Sequence, residues 1–86
     1  MSKVDKTLER VLRGTADNNI GFNELCGLLR HFAFSERVRG DHHIFTRDDI
    51  REIINIQPRG ATAKPYQIKQ VREVFLKYQL ADDTQS

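Results

Sequence analysis

Cysteine, proline and tryptophan are scarce in this chain of 86 residues, which has one cysteine, two prolines and no tryptophan. Because Cys26 has no second cysteine to pair with, an intrachain disulfide is excluded, and we predict a reduced, cytoplasmic protein. No apolar run approaches the ~18 residues of a membrane-spanning helix, so no membrane segment is expected. Residues 1–14 are charged and lack a continuous apolar core, which argues against a secretory signal. The length is typical of one small domain.

Signatures of several enzyme classes are also missing. The chain has no GxxxxGK[ST] phosphate-binding loop, no GxGxxG dinucleotide fingerprint and no GxSxG serine-hydrolase turn. Cys26, His31, His42 and His43 are potential zinc ligands, but they form no CxxC or HxxxH pair. Adjacent strand residues point to opposite faces, so the two neighbouring histidines are not expected to converge on one ion. We therefore expect no metal site and no cofactor.

The net charge of +2 is distributed unevenly. Residues 1–29 carry four basic and four acidic side chains, whereas residues 30–77 carry ten basic and six acidic ones. This excess is typical of a solvated, salt-bridged surface or of a face that binds nucleic-acid phosphates. Arg59 and Lys64 also precede a predicted helix, whose free N–H groups favour anions. The candidates for phosphate contact are Arg37, Arg39, Arg47, Arg59, Lys64 and Lys69.

Hydrophobic spacing predicts the order helix, helix, three strands, helix. The predicted helices are at 2–13, 22–32 and from 65, and the predicted strands at 34–39, 42–47 and 52–57. Ser2 is the expected N-cap of the first helix, and Gly14 ends it. Cys26 lies in the apolar stripe of the second helix and is predicted to be a core residue. This order predicts an α+β fold: a three-stranded antiparallel sheet with helices packed on one face, leaving the other face for solvent or ligand.

Two of the three histidines lie together in Arg39-Gly40-Asp41-His42-His43-Ile44-Phe45, directly after the first predicted turn. Imidazole has an unperturbed pKa of about 6.5, so an exposed histidine here is a candidate acid or base. A histidine in a strand is more often a structural residue, and both interpretations remain open on this evidence.

Several segments resemble, in order and spacing, the HicA toxins of bacterial toxin–antitoxin systems over residues 20–80. They are Leu25-Cys26-Gly27-Leu28-Leu29, Phe34, Gly40-Asp41-His42-His43-Ile44-Phe45, Ile54-Asn55-Ile56-Gln57-Pro58 and Ala63-Lys64-Pro65-Tyr66-Gln67. Residues 1–19 look like an N-terminal helical extension present in part of the family. Residues 81–86 are predicted to be a disordered tail.

The resemblance implies a fold similar to a double-stranded-RNA-binding domain and a metal-independent endoribonuclease that cleaves messenger RNA. It also implies a HicB-type antitoxin that holds the enzyme inactive in a hetero-oligomer. The catalytic histidine of the family follows Gly-Ser, which implies His42 here, with His43 as the second choice. Asp41 stands where the family commonly has serine. We expect its carboxylate to alter the pH optimum or to repel the RNA backbone.

Two other classes of function remain open. The first is a non-catalytic RNA-binding module of the same fold. The second is a DNA-binding regulator that uses the first two helices, which the absence of net formal charge in residues 1–29 disfavours.

Overall fold

The structure is a computed structural model that describes residues 3–81, and it confirms the predicted α+β class and the order of the main elements. The helices are α1 (Lys3–Arg13), α2 (Phe22–His31) and α3 (Pro65–Lys77), with a short 3-10 helix at Asp17–Asn19. The strands are β1 (Ser35–Arg39), β2 (His42–Arg47), β3 (Ile50–Ile56), β4 (Pro58–Arg59) and β5 (Thr62–Ala63). The predicted N-cap Ser2 and residues 82–86 of the predicted tail at 81–86 lie outside the described residues, whereas Ala81 is described and is buried.

Two strand assignments differ from the sequence prediction. β3 begins at Ile50 rather than at residue 52, because Arg47 pairs with Ile50 across the two-residue turn at 48–49. Ile50 is also buried in the core. The segment after β3 was expected to be a loop, but β4 and β5 form a second antiparallel hairpin in which Pro58 pairs with Ala63. A proline is tolerated there because a short edge strand does not need every N–H group.

The three-stranded sheet, in the order β1-β2-β3, buries one face and exposes the other. Phe45, Ile54 and Ile56 are fully buried, whereas Thr46 and Ile53 next to them in sequence are exposed. The antiparallel register pairs Phe45 with Ile54, so the buried side chains share one face. Helices α2 and α3 pack on this face, which we call the core face; the other is the open face.

Aromatic packing joins the helices to the sheet. The ring of Phe75 in α3 lies edge-on to Phe32, with centroids 4.9 Å apart, and parallel to Phe34 at 6.4 Å. The chain turns from α2 into β1 between these two rings, and Ala33 adopts a positive φ of 68° there. The turn lets both neighbours of Ala33 contact the ring of Phe75.

Within residues 3–81, none of the helices combines the length and the hydropathy that crossing a bilayer requires.

Helix α1 packs on α2 and α3 and contributes to the same hydrophobic core. Leu8 and Val11 are buried in this contact. Arg72 of α3 fixes the end of α1, because its guanidinium donates to the Val11 carbonyl at 3.1 Å and to the Asp17 carboxylate at 3.0 and 3.2 Å. The segment predicted to be an N-terminal extension is therefore packed into the domain.

We expect Leu8→Ala to lower the free energy of unfolding by about 2–4 kcal/mol, because it leaves a cavity between α1 and α2. Urea unfolding of the full chain measures this change. Lys6→Ala, on the exposed side of the same helix, is the matched control and should change stability by less than about 0.5 kcal/mol. Equal stability of the two variants would show that α1 is a detachable extension.

Candidate functional site

The turn between β1 and β2 places the first histidine at the end of the sheet. Gly40 is the first of the two turn residues and has a φ of 60°, as the first position of a type II′ hairpin turn requires. Arg39 pairs with His42 directly across this turn. His42 is therefore the first residue of β2 and lies beside the turn residue Asp41.

The two neighbouring histidines lie on opposite faces of the sheet, as their spacing predicted. The His42 side chain is 47% exposed on the open face, whereas the His43 side chain is 23% exposed on the core face. His43 belongs to the same side of β2 as Phe45, which is fully buried. Of the two, His42 has the greater access to a molecule in solution.

The imidazole of His42 has a polar group near each ring nitrogen. Its Nδ1 is 3.1 Å from Oδ1 of Asn55 on the neighbouring strand β3. Its Nε2 is 3.8 Å from Oδ1 of Asp41, which is beyond hydrogen-bonding distance. One nitrogen is thus hydrogen-bonded within the protein, and the other lies near a negative charge.

A chain of hydrogen bonds continues from Asp41 to the start of α3. The Gln57 side-chain amide donates to Oδ2 of Asp41 at 2.9 Å, and its carbonyl oxygen accepts from Nζ of Lys64 at 2.7 Å. The backbone N–H of Gln57 donates to Oε1 of the buried Gln67 at 3.0 Å. The turn, the end of β3 and the start of α3 therefore meet at one end of the open face.

These contacts determine the charge of Asp41. The pKa of Asp41 is lowered from its ordinary value, chiefly because the Gln57 amide donates a hydrogen bond to the carboxylate. Nearby positive charge at His42 and Lys64 acts in the same direction. Asp41 is therefore a carboxylate anion near neutral pH.

His43 belongs to an ion-pair cluster on the core face. Its Nδ1 is 2.7 Å from Oε2 of Glu36, and its ring lies edge-on to Phe22 with centroids 4.8 Å apart. Arg30 of α2 donates two hydrogen bonds to the same carboxylate, at 2.8 and 3.0 Å. The Arg30 guanidinium, followed by His43, holds the pKa of Glu36 below its usual value. This cluster joins α2 to β1 and β2.

Cys26 is buried, as predicted, and lies next to this cluster. Ligand atoms of Cys26, Glu36 and His43 lie within 4.8 Å of one another, a grouping that the sequence did not reveal. Burial raises the pKa of the Cys26 thiol to about 11, so it is protonated at neutral pH. The Glu36 carboxylate is already engaged by Arg30 and His43. We therefore interpret the contacts of Glu36 with Arg30 and His43 as ion pairs that stabilise the fold. The protonated Cys26 thiol lies beside them in the core.

Two of the predicted phosphate contacts lie on the open face near His42. Arg37 and Arg39 are exposed on β1, and neither side chain has an ion-pair partner within residues 3–81. They line a groove of about 470 Å³ across the open face, together with Ile44 and Ile53. This groove combines unpaired positive charge with exposed apolar surface.

The other four candidates are dispersed. Lys64 joins the chain of hydrogen bonds that leads to Asp41. Arg47 is engaged elsewhere, because it donates to the Phe32 carbonyl at 3.0 Å and pairs with Asp49 at 2.8 Å. Arg59 lines a separate hollow beside the start of α3. Lys69 is exposed on α3.

Sequence reasoning did not identify Asn55 and Gln57 as parts of the site. Each is a polar residue that follows an isoleucine in β3 or just after it, in Ile54-Asn55-Ile56-Gln57. Alternation places both on the side opposite the buried isoleucines. This alternation, combined with an antiparallel pairing of the predicted second and third strands, is the sequence feature that could have identified Asn55 and Gln57 as parts of the site. The register itself was needed to bring Asn55 to His42.

Comparison of the chain with protein-family models, with curated proteins and with solved structures found no match.

Glu36→Gln is expected to lower the free energy of unfolding near pH 7 by about 1–3 kcal/mol, because it removes the anion that Arg30 and His43 contact. The lowered pKa of Glu36 means that this contribution is present above its ordinary value of 4.5 and is lost as the pH falls through the lowered value. The difference from the wild type should therefore shrink as the pH falls below 4.5 and through the lowered value.

Urea unfolding of the wild type and of Glu36→Gln, near pH 7 and again at a pH below 4.5, measures this effect. Glu9→Gln breaks an exposed pair with Arg13 on α1, and this control should change stability by less than about 1 kcal/mol. A difference at Glu36 that does not depend on pH would contradict the assignment of the stabilisation to the charged form.

Proposed function

We propose that this protein is a metal-independent endoribonuclease that cleaves messenger RNA in the bacterial cytoplasm, with His42 as its catalytic base. The observation that supports this most directly is the environment of His42. Its imidazole is exposed on the open face, its Nδ1 is hydrogen-bonded to Asn55, and its Nε2 lies 3.8 Å from Asp41 Oδ1. The resemblance to HicA toxins, which implied this residue from sequence, supports the same proposal.

The chemistry uses the RNA's own nucleophile. His42 Nε2 takes the proton from a ribose 2′-hydroxyl, O2′ forms a bond to the adjacent phosphorus, and the bond from phosphorus to O5′ breaks. The products are a 2′,3′-cyclic phosphate and a 5′-hydroxyl. The departing O5′ takes a proton from water, which reaches the exposed site freely. Lys64 supplies positive charge near the phosphate while negative charge increases on its oxygens.

The open face is the proposed path of the RNA. Arg37 and Arg39 have no ion-pair partner within residues 3–81 and extend from β1 beside His42, so they can contact phosphates on either side of the cleaved bond. Ile44 and Ile53 offer apolar surface to the bases in the same groove. The order α2, β1, β2, β3, α3, with helices on one face, supports a fold similar to a double-stranded-RNA-binding domain.

A HicB-type antitoxin is the proposed partner, forming a hetero-oligomer in which it covers His42 and the open face. An acidic surface on the antitoxin would match the charge of Arg37 and Arg39. Such a partner blocks cleavage by excluding RNA from the groove, and it needs no change in the structure of the toxin.

His42→Ala is expected to abolish cleavage of a long transcript in buffer that contains EDTA, because the base is removed while an exposed site keeps its fold. His31→Ala is the matched control, since His31 is exposed on α2 away from the open face, and it should cleave like the wild type. Mapping of the product ends should show cyclic phosphates, and a transcript with 2′-deoxyribose at the cleaved position should resist. In cells, induction of the wild type but not of His42→Ala should arrest growth, and the antitoxin should relieve the arrest.

Cleavage by His42→Ala at the wild-type rate would overturn the proposal. RNA binding without cleavage by the wild type would instead favour a non-catalytic RNA-binding module.

Arg37→Ala and Arg39→Ala are expected to weaken RNA binding in the His42→Ala background, which keeps the RNA intact. Each removes one phosphate contact, so the slope of log affinity against log salt should fall by about 0.7 for single-stranded RNA. Fluorescence anisotropy over a salt series measures both quantities. Lys6→Ala on α1 is the control of equal charge, and an equal effect of that variant would show that the arginines act only through net charge.

A further inference from the structure

We propose that Asn55 is a positioning residue for His42, holding the imidazole with its proton on Nδ1, and that Asp41 stabilises the imidazolium formed when Nε2 takes a proton. This inference rests on the proposed ribonuclease function and adds to it the groups that prepare the base. It is carried by contacts that join three parts of the chain distant in sequence: the β1–β2 turn, β3 and the start of α3.

The contact with Asn55 defines the tautomer of His42. The atom of Asn55 that faces Nδ1 is the amide oxygen, at 3.1 Å, and an amide oxygen only accepts hydrogen bonds. Nδ1 must therefore donate, and in the neutral ring the lone pair lies on Nε2. A histidine prepared in this way takes a proton only at Nε2, which is the nitrogen that faces away from β3. Asparagine plays the same orienting role towards histidine in Cys-His-Asn proteases.

The position of Asn55 is rigid. It lies in β3 and pairs in register with Ile44, so it is a diagonal cross-strand neighbour of His42 on the open face. Both residues belong to regular strands of one sheet rather than to loops. Orientation by such a group reduces the rotations that the imidazole would otherwise sample before proton transfer.

Asp41 acts on the other side of the ring. Its Oδ1 is 3.8 Å from Nε2 and, as part of a carboxylate, only accepts hydrogen bonds, so it leaves the Nε2 lone pair free and attracts the ring once Nε2 is protonated. The Gln57 amide fixes the carboxylate, and Gln57 is itself fixed by Lys64. The charged groups around His42 are thus Asp41 from the turn, Arg39 from β1 and Lys64 from the start of α3. Among these three, only Asp41 favours the imidazolium.

The first test reads the tautomer directly and needs no catalysis. Long-range ¹H–¹⁵N NMR of the intact protein above pH 8 should show a protonated Nδ1 and an unprotonated Nε2 for His42. Asn55→Ala should move the proton of His42 towards Nε2, the tautomer that free imidazole side chains favour. The signals of His31 should stay unchanged, and so should those of His42 in Asn23→Ala, an exposed asparagine on α2. A wild-type His42 that carries its proton on Nε2 would overturn the assignment.

The second test uses the rate of cleavage as a function of pH. Asn55→Ala should lower kcat by about 10²-fold with little change in KM, because orientation and not binding is lost. Asn55→Asp should retain more activity and move the acidic limb of the profile to higher pH, because a second carboxylate favours the imidazolium. Asp41→Asn should move the same limb to lower pH. If Asn55 and Asp41 had only structural roles, their substitution would change kcat without shifting the acidic limb of the pH–rate profile.

The two tests separate failure of this inference from failure of the proposed function. If Nδ1 of His42 is protonated only when Asn55 is present, but the protein cleaves no RNA, the positioning role of Asn55 is supported and the ribonuclease function is overturned. Cleavage that requires His42 but is unchanged in rate and pH profile by Asn55→Ala would support the ribonuclease and overturn the positioning.

Discussion

The period of two along β2 is the constraint on which the site depends. Because side chains alternate between the faces of a strand, Phe45 can be buried only if His43 also faces the core and His42 faces away. A shift of one residue in register would place His42 against α2 and expose Phe45, at a cost of several kcal/mol of lost burial. Burial of the hydrophobic core thus determines that His42 is more accessible than His43.

The same alternation separates two kinds of polar contact. On the core face, Glu36 is satisfied by Arg30 and His43, because a half-buried carboxylate without partners would destabilise the fold. On the open face, polar side chains keep contact with water, so Arg37 and Arg39 can lack an ion-pair partner among the described residues without a comparable cost. The cluster on the core face stabilises the position of β2, and the open face keeps groups available for a ligand.

Most of the fold and part of the site were predictable from the sequence. Helical spacing and alternation give the three helices, the three main strands and the opposite orientation of His42 and His43. The second hairpin was not predictable, because Pro58 and Gly60 are typical of a loop and because the hairpin is held by backbone hydrogen bonds to a segment distant in sequence, from Ala63 to Ile20 and from Phe22 to Ala61. The links from Asn55 to His42 and from Gln57 to Asp41 depend on strand register and on where α3 begins. Local patterns do not define those long-range distances. For Arg47, the charge alone predicted a phosphate contact, and the sequence did not reveal that the side chain also contacts the Phe32 carbonyl and Asp49.

The carboxylate of Asp41 was the feature most expected to complicate the chemistry, and its geometry shows how two opposing effects compare. At 3.8 Å from Nε2, the carboxylate attracts an imidazolium, and water around both exposed groups screens this attraction. Arg37 and Arg39 line the groove that is the proposed path of the RNA, so positive charge lies along it. These cations oppose the repulsion that Asp41 would exert on an RNA phosphate. In the proposed reaction, Asp41, which Gln57 holds through a hydrogen bond, favours the charged state of His42, whereas the neighbouring arginines favour the RNA.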